Sequence, residues 1–286
     1  MGMDDKLKLI ECPRDAMQGL HDFIPTSIKA DYINAILSCG FDTVDFGSFV
    51  SPKAIPQMKD SADLIDRLEE SDSKLLAIVA NERGATEASQ FERIDFLGYP
   101  FSVSEQFQLR NTNATLEESF SRVDLIQEIA KKNNKELVVY LSMGFGNPYN
   151  EAWHPDIVAE WAEKLYTKLD VKTQALSDTI GCADSTLVTS LFETLSSSLT
   201  SVEFGAHLHT LPQNASGLVK AAYNAGCRRF DGAIKGFGGC PMAVDKLTGN
   251  MPTELMLDWF NKNEIYTGID ILKFNDTMSK TAAVFP

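Results

Sequence analysis

The residues best suited to chemistry are His207 and His209, two of the four histidines in the chain, at the end of the run Ser201-Val-Glu-Phe-Gly-Ala. On a β-strand alternate side chains share a face, so both imidazoles project together while Leu208 turns away. Two imidazoles side by side make half of a metal site; the plainer alternative is a hydrogen-bonded pair filling a polar pocket. The other unusual polar residues are Arg14-Asp15, Asp45, Asp178-Thr179 and the Gly-rich stretch Lys235-Gly-Phe-Gly-Gly-Cys240-Pro that runs on to Asn250. A carboxylate, two imidazoles and an amide oxygen form a mixed set that suits octahedral Mg²⁺ or Mn²⁺, with open positions for water or substrate. The chain has no His-Glu-x-x-His run, which disfavours a zinc hydrolase, and no Cys-x-x-Cys pair for structural zinc. Beside Arg14, one divalent ion would stabilise an enolate as a C–C bond breaks or forms. Taken singly, each cluster has a plainer reading. Arg14-Asp15 makes a turn salt bridge, Asp178-Thr179 a helix cap, Gly236, Gly238 and Gly239 a tight turn, and Cys240 a small buried hydrophobe. His21 and His154 read as surface or capping residues.

These residues must be carried by rigid elements. Short apolar runs at residues 7–12, 43–47, 75–80, 93–97, 137–142, 174–177, 202–208 and 229–234 read as strands. Between them lie helical patterns. One is capped by Thr26, buries Ile28, Tyr32, Ile33, Ile36 and Leu37, and stops at Gly40. Others cover 62–68, weakly 87–91, 116–130, 155–165, 187–195, 215–224 (capped by Asn214) and 253–260, before a helical or ragged tail. Eight strand–helix units predict an α/β fold, a single (β/α)8 TIM barrel forming one catalytic domain over 1–286 with a short C-terminal helical extension. An open doubly wound sheet fits less well, because no Gly-x-Gly-x-x-Gly follows the first strand. In a barrel, chemistry belongs at the C-terminal face, and every polar cluster named above follows the end of a strand. That coincidence carries more weight than any one motif.

The 286 residues are 44% hydrophobic and 23% charged, enough for a sizeable core. No run approaches the roughly 18–20 apolar residues of a membrane span. The net charge of −14 argues against nucleic acid or an anionic membrane as partner, and it requires a local positive site for any anionic substrate. Five scattered cysteines make no disulfide framework, and the N-terminus has neither signal nor transit character, so a cytoplasmic location is expected.

Several motifs together resemble a known family. Glu11-Cys-Pro-Arg14-Asp15-Ala-Met-Gln18 resembles the Arg-Asp signature of metallolyase barrels. Ser48-Phe-Val-Ser-Pro-Lys-Ala-Ile-Pro-Gln-Met58 closely resembles a run of the 3-hydroxy-3-methylglutaryl-CoA lyases. Asn111-Thr-Asn113, Leu116-Glu-Glu-Ser-Phe, Asp178-Thr-Ile-Gly181, His207-Leu-His209, Gly236-Phe-Gly-Gly-Cys240-Pro and Gly249-Asn250-Met-Pro-Thr-Glu254 follow in the family's order. The resemblance implies a metal held by Asp15, His207, His209 and Asn250. It implies Arg14 stabilising the enolate of departing acetyl-CoA and Cys240 protonating it. Asp45 and Asp178 become active-site carboxylates for the hydroxyl proton, with His207 counted in both sets. Gln18, Ser48 and Asn113 are expected around the acyl-CoA, with Lys53 and His21 in nearby loops. The reaction implied is cleavage of 3-hydroxy-3-methylglutaryl-CoA to acetoacetate and acetyl-CoA, as in leucine degradation and ketone-body formation, by a homodimer.

The chain departs from the pattern in places. Thr210 stands where an aspartate is common, Asp45 where a longer glutamate is usual, Cys12 for a glycine, and Asn147 for a cysteine. Competing readings are a Claisen-condensing synthase or oxo-acid aldolase of the same superfamily, or a homologue that binds metal and acyl-CoA without turnover.

Overall fold

Strands that are apolar on both sides can only be satisfied between two cores, and the chain solves this by closing its sheet. The computed structural model describes residues 6–239 and 248–285. Its parallel strands are Lys8–Glu11 (β1), Thr43–Ser48 (β2), Lys74–Ile78 (β3), Ile94–Ser102 (β4), Glu136–Ser142 (β5), Thr173–Asp178 (β6), Glu203–Leu208 (β7) and Arg229–Gly232 (β8). They close into a barrel in chain order, with β8 returning to β1 through Lys8↔Arg229 and Leu9↔Phe230. This is the (β/α)8 architecture that the alternating pattern predicts.

Side-chain alternation then sorts two cores. Leu76, Ile78, Phe96, Val138, Tyr140 and Ala175 cluster together as the barrel filling. Leu75, Ala77, Leu137, Val139 and Leu141, one position out of phase on the same strands, belong to the larger core under the helices. Among the described residues no helix is long and apolar enough to cross a membrane.

Several boundaries differ from the sequence reading, each for a local reason. Strand β4 continues through Pro100 to Ser102 rather than stopping at 97, because the alternating apolar pattern continues and Pro100 is held opposite Tyr140. The helix expected at 87–91 is Glu82–Ala88, started by Asn81, whose side-chain oxygen accepts from the Gly84 amide at 3.0 Å. A further helix, Glu105–Thr112, follows β4, capped by Ser104. Thr26 is the first helical residue instead of the cap, and its hydroxyl donates to Asp60 at 2.7 Å. Asn214 makes no capping bond, since it ends the 3₁₀ turn Pro212–Asn214. The tail is helical, as expected: Ile271–Lys280 is capped by Asp270 and lays Phe274 edge-on against Phe41.

The barrel is latched at its C-terminal rim by a buried carboxylate. Glu11, at the end of β1, accepts from the Ile234 amide at 2.8 Å and the Thr253 hydroxyl at 2.6 Å. Burial outweighs these two donors and pushes its pKa up to about 8. The folded chain therefore holds a proton on Glu11 between an ordinary carboxylate pKa and about 8 that the unfolded chain releases. Stability linked to that proton is full at low pH and is lost as pH rises through this window. Glu11→Gln should flatten the decline in stability between pH 5 and 8 by up to roughly 1.4 kcal/mol per pH unit. Denaturant titrations of both proteins across that range check this; parallel curves would contradict it.

Candidate active site

Proline at the first position of the short helix Pro13–Met17 sets its direction off the end of β1. The helix turns Arg14 and Asp15 into the barrel mouth, both buried. Asp15 is shared between two kinds of partner. Its Oδ1 accepts from Arg14 Nη1 at 2.9 Å and from Gln18 Nε2 at 2.6 Å, Gln18 lying one helical turn on. Its Oδ2 accepts from Asn250 Nδ2 at 2.8 Å and lies 3.9 Å from His209 Nε2.

Asn250 reaches this point because its segment returns beside the end of β7. His209 and Asn250 form an antiparallel bridge, and the Met251 amide donates to Leu208 O at 2.9 Å. The amide group of Asn250 donates to Phe237 O at 2.9 Å as well as to Asp15, so its nitrogen edge faces the carboxylate in this arrangement. Gly238 makes the approach possible. It adopts φ +97°, and a Cβ there would stand 2.7 Å from Asn250 Nδ2 and 2.9 Å from the backbone of Asp15 and Ala16.

The two imidazoles do project together, as alternation predicts. Ligating atoms of Asp15, His207 and His209 all lie within 4.8 Å of one another. His207 hydrogen-bonds Asp231 Oδ2 through Nδ1 at 3.1 Å, and the Tyr140 ring packs edge-on against it at 5.2 Å. Burial and the neighbouring His207 lower the pKa of His209 to about 4, so it is a neutral ring with a free lone pair at neutral pH. Burial alone would lower His207 too, but the hydrogen bond and charge of Asp231, with Asp15, raise it above its ordinary value. Asp15 goes the other way: burial is overcome by Arg14 and the histidines, and its pKa falls to about 2. The donor set is thus an ionised carboxylate beside two imidazoles, which suits a divalent cation.

Arg14 is gripped from behind. Its Nε donates to Asp45 Oδ1 at 3.1 Å and its Nη2 to Asp45 Oδ2, a two-point pair that is almost wholly buried. Burial pushes the Asp45 carboxyl above the ordinary carboxylate value against the pull of Arg14.

A cavity of about 390 Å³ opens above these groups, and Arg14, Asp15, Gln18, Ser48, Asn113, His207 and His209 line it. Val50, Ile55, Ile78, Pro100, Phe107 and Tyr140 add apolar lining. Asn113 reaches the wall from the left-handed position that ends the helix Glu105–Thr112. Asp45 and Asp178 are not on this wall. Asp178 turns its oxygens into its own loop, accepting from the Cys182 and Ala183 amides at 3.0 and 2.8 Å. Lys53 and His21 are exposed and also off the wall. Cys240 lies outside the described residues.

Three site residues escaped the sequence reading. Asp231 shares the inward parity of β8 and touches His207. Tyr140 is an inward residue of β5. Arg110 lines the cavity and stacks on Tyr149 at 4.8 Å; its only sequence signal is its place just before Asn111-Thr-Asn113.

Residues 7–280 match the family model described as HMGL-like. The chain belongs to that family. It is 29% identical over 285 residues to the 3-hydroxy-3-isohexenylglutaryl-CoA/hydroxymethylglutaryl-CoA lyase of Pseudomonas aeruginosa, covering 99% of this chain and 94% of that protein. It is 30% identical over 260 residues to the hydroxymethylglutaryl-CoA lyase of Pseudomonas mevalonii, covering 91% and 85%. Among solved structures, an HMG-CoA lyase from Acinetobacter baumannii in complex with coenzyme A and 3-methylmalate superposes with a TM-score of 0.91 at 29% identity, covering 99% of this chain and 92% of that one. The HMGL-like barrel of this chain therefore places its Arg-Asp helix, its paired histidines and Asn250 at one mouth.

Removing Asp45 strips the buried Arg14 of its two-point partner and leaves it only Asp15 and Gln18. Asp45→Ala should destabilise the fold by about 3 kcal/mol or more, read as a shift in the urea midpoint. A shift of less than about 0.5 kcal/mol would mean that Asp15 and Gln18 alone satisfy Arg14.

Proposed function

We propose that this chain is a divalent-metal-dependent 3-hydroxy-3-methylglutaryl-CoA lyase that cleaves its substrate to acetoacetate and acetyl-CoA. The observation that carries the reading is the convergence of Asp15, His207 and His209 within ligating reach, with Arg14 hydrogen-bonded to the same carboxylate. The names of the Pseudomonas relatives and the coenzyme A bound in the Acinetobacter structure support the substrate class.

In this reading Asp15, His207 and His209, with the amide oxygen of Asn250, would hold one Mg²⁺ or Mn²⁺. When bound, the ion would supply a Lewis acid that acidifies the tertiary hydroxyl, whose proton leaves to water in the open cavity, and draws charge from the substrate oxygens. Arg14 is fixed by Asp45 with its guanidinium on the cavity wall, where its charge meets the thioester enolate that forms as the C–C bond breaks. Protonation of that enolate is assigned to Cys240, on the motif alone. Asp45 and Asp178 take positioning parts, one behind Arg14 and one within its loop, because neither lines the cavity. Gln18, Ser48 and Asn113 contact the acyl-CoA, and the apolar lining faces the 3-methyl group. Arg110 adds the positive charge that an acidic chain needs near an anionic ligand. A single catalytic domain over 1–286, working as a cytoplasmic homodimer without nucleic acid or membrane, completes the proposal. A rat relative named as cytoplasmic supports the location, although other relatives are named as mitochondrial.

The test is direct. Purified protein with 3-hydroxy-3-methylglutaryl-CoA and Mg²⁺ should release acetoacetate, and Cys240→Ser should abolish most of it. His209→Ala should weaken Mn²⁺ binding by more than about 100-fold, beyond the 10–100-fold typical of residues that only support ligands. Acetoacetate no higher than in the Cys240→Ser control would remove the lyase reading.

A further inference from the structure

Beneath the catalytic mouth, inside the barrel, lies a charged group that the proposed reaction does not use. Arg229 stands on β8, out of phase with Phe230, which packs edge-on against Phe260 under the helices. Arg229 and Asp231 therefore both point inward. Arg229 is 1% exposed, among the largest fully buried side chains of the protein. The barrel is shaped around it. Its register partner on β7 is Gly205, where a Cβ would stand 2.9 Å from Arg229 Cδ and 3.1 Å from Cγ.

A cation in that position is very costly unless something nearby answers it. Arg229 Nε and Nη2 have no hydrogen-bond partner, and neither does Asp231 Oδ1, which lies 3.9 Å from Arg229 Nε. Of the charges around Arg229, Asp231 weighs most, and it is close enough for direct contact after a small side-chain shift. The second oxygen of Asp231 is the one that meets His207 Nδ1 at 3.1 Å. The three residues form a line: guanidinium, carboxylate, imidazole.

We propose that Arg229 is a positioning residue for the metal centre: it anchors Asp231, which holds His207 by Nδ1–H and so leaves Nε2 directed at Asp15 and His209. A buried carboxylate with no cation beside it is free to turn its oxygens away from the ring, which then has no acceptor to fix one tautomer. Arg229 removes that freedom without touching substrate or metal. The inference rests on the metal-site reading above and names the support behind one of its ligands.

The experiment uses the intact protein stripped of metal. Arg229→Met keeps the length of the side chain and removes its charge. It should weaken Mn²⁺ binding about 10–100-fold by calorimetry. In ¹⁵N spectra of the metal-free protein, His207 should change from one tautomer, protonated at Nδ1, to a mixture. Arg229→Lys should restore both readouts to within a few-fold. Asp231→Asn combined with Arg229→Met should be no worse than Asp231→Asn alone, since both act through one ring. If Arg229→Met does not fold, Arg229→Gln, which retains an N–H donor but no charge, carries the same two measurements. A folded, neutral variant with unchanged Mn²⁺ affinity and an unchanged His207 tautomer overturns the proposal, as does additivity in the double variant. Failure of the wild-type protein to bind Mn²⁺ at all would instead sink the metal-site reading, while the tautomer measurement would still decide the role of Arg229.

Discussion

Everything at the barrel mouth depends on how one carboxylate divides its two oxygens. Asp15 gives Oδ1 to Arg14 and Gln18 and turns Oδ2 toward Asn250 and His209. Arg14 keeps Asp15 ionised at any physiological pH, which sets a negative charge beside the two imidazoles. The same guanidinium reaches the cavity wall, so the charge that orients Asp15 also faces the cavity.

Such a concentration of buried charge has to be supported from outside the mouth. Asp45 holds the far edge of Arg14, Asp231 holds His207, and Arg229 sits below Asp231. Glu11 latches the rim by joining the end of β1 to the segment after β8 and to Thr253. These supports lie on inward-facing strand positions or at strand ends, which closed parallel pairing makes rigid. The departure from a longer acid to Asp45 is absorbed in the same way: the shorter carboxylate still meets Arg14 at two points, so it serves as a brace.

The cavity combines two characters that fit an acyl-CoA. Its floor is polar and charged, while Val50, Ile78, Pro100 and Phe107 add apolar lining. Pro100 is part of this wall only because β4 continues past the point where a proline is expected to end a strand. The helix Glu105–Thr112 that follows then delivers Arg110 and Asn113 to the rim. In a chain of net charge −14, that places positive charge where an anionic ligand would enter.

Read alone, the sequence already determined the barrel and the polar residues that gather at its rim. Strand–helix alternation is a period that burial imposes on every strand, and His207 and His209 share a face by strand geometry alone. The Ser-Phe-Val-Ser-Pro-Lys run and the Gly-rich loop identified the family because whole motifs are more specific than single residues. Tertiary structure decided which groups touch. Nothing in the text says that Asp45 would be spent on Arg14, that Asp178 would turn into its own loop, or that Asp231 would meet His207 across 24 residues. Short helices such as Pro13–Met17 and Glu82–Ala88 were likewise invisible or misplaced, because their apolar period is too brief to read. Burial and partner choice are properties of closed packing. A strand's own pattern encodes which way a side chain points, but not what waits for it there.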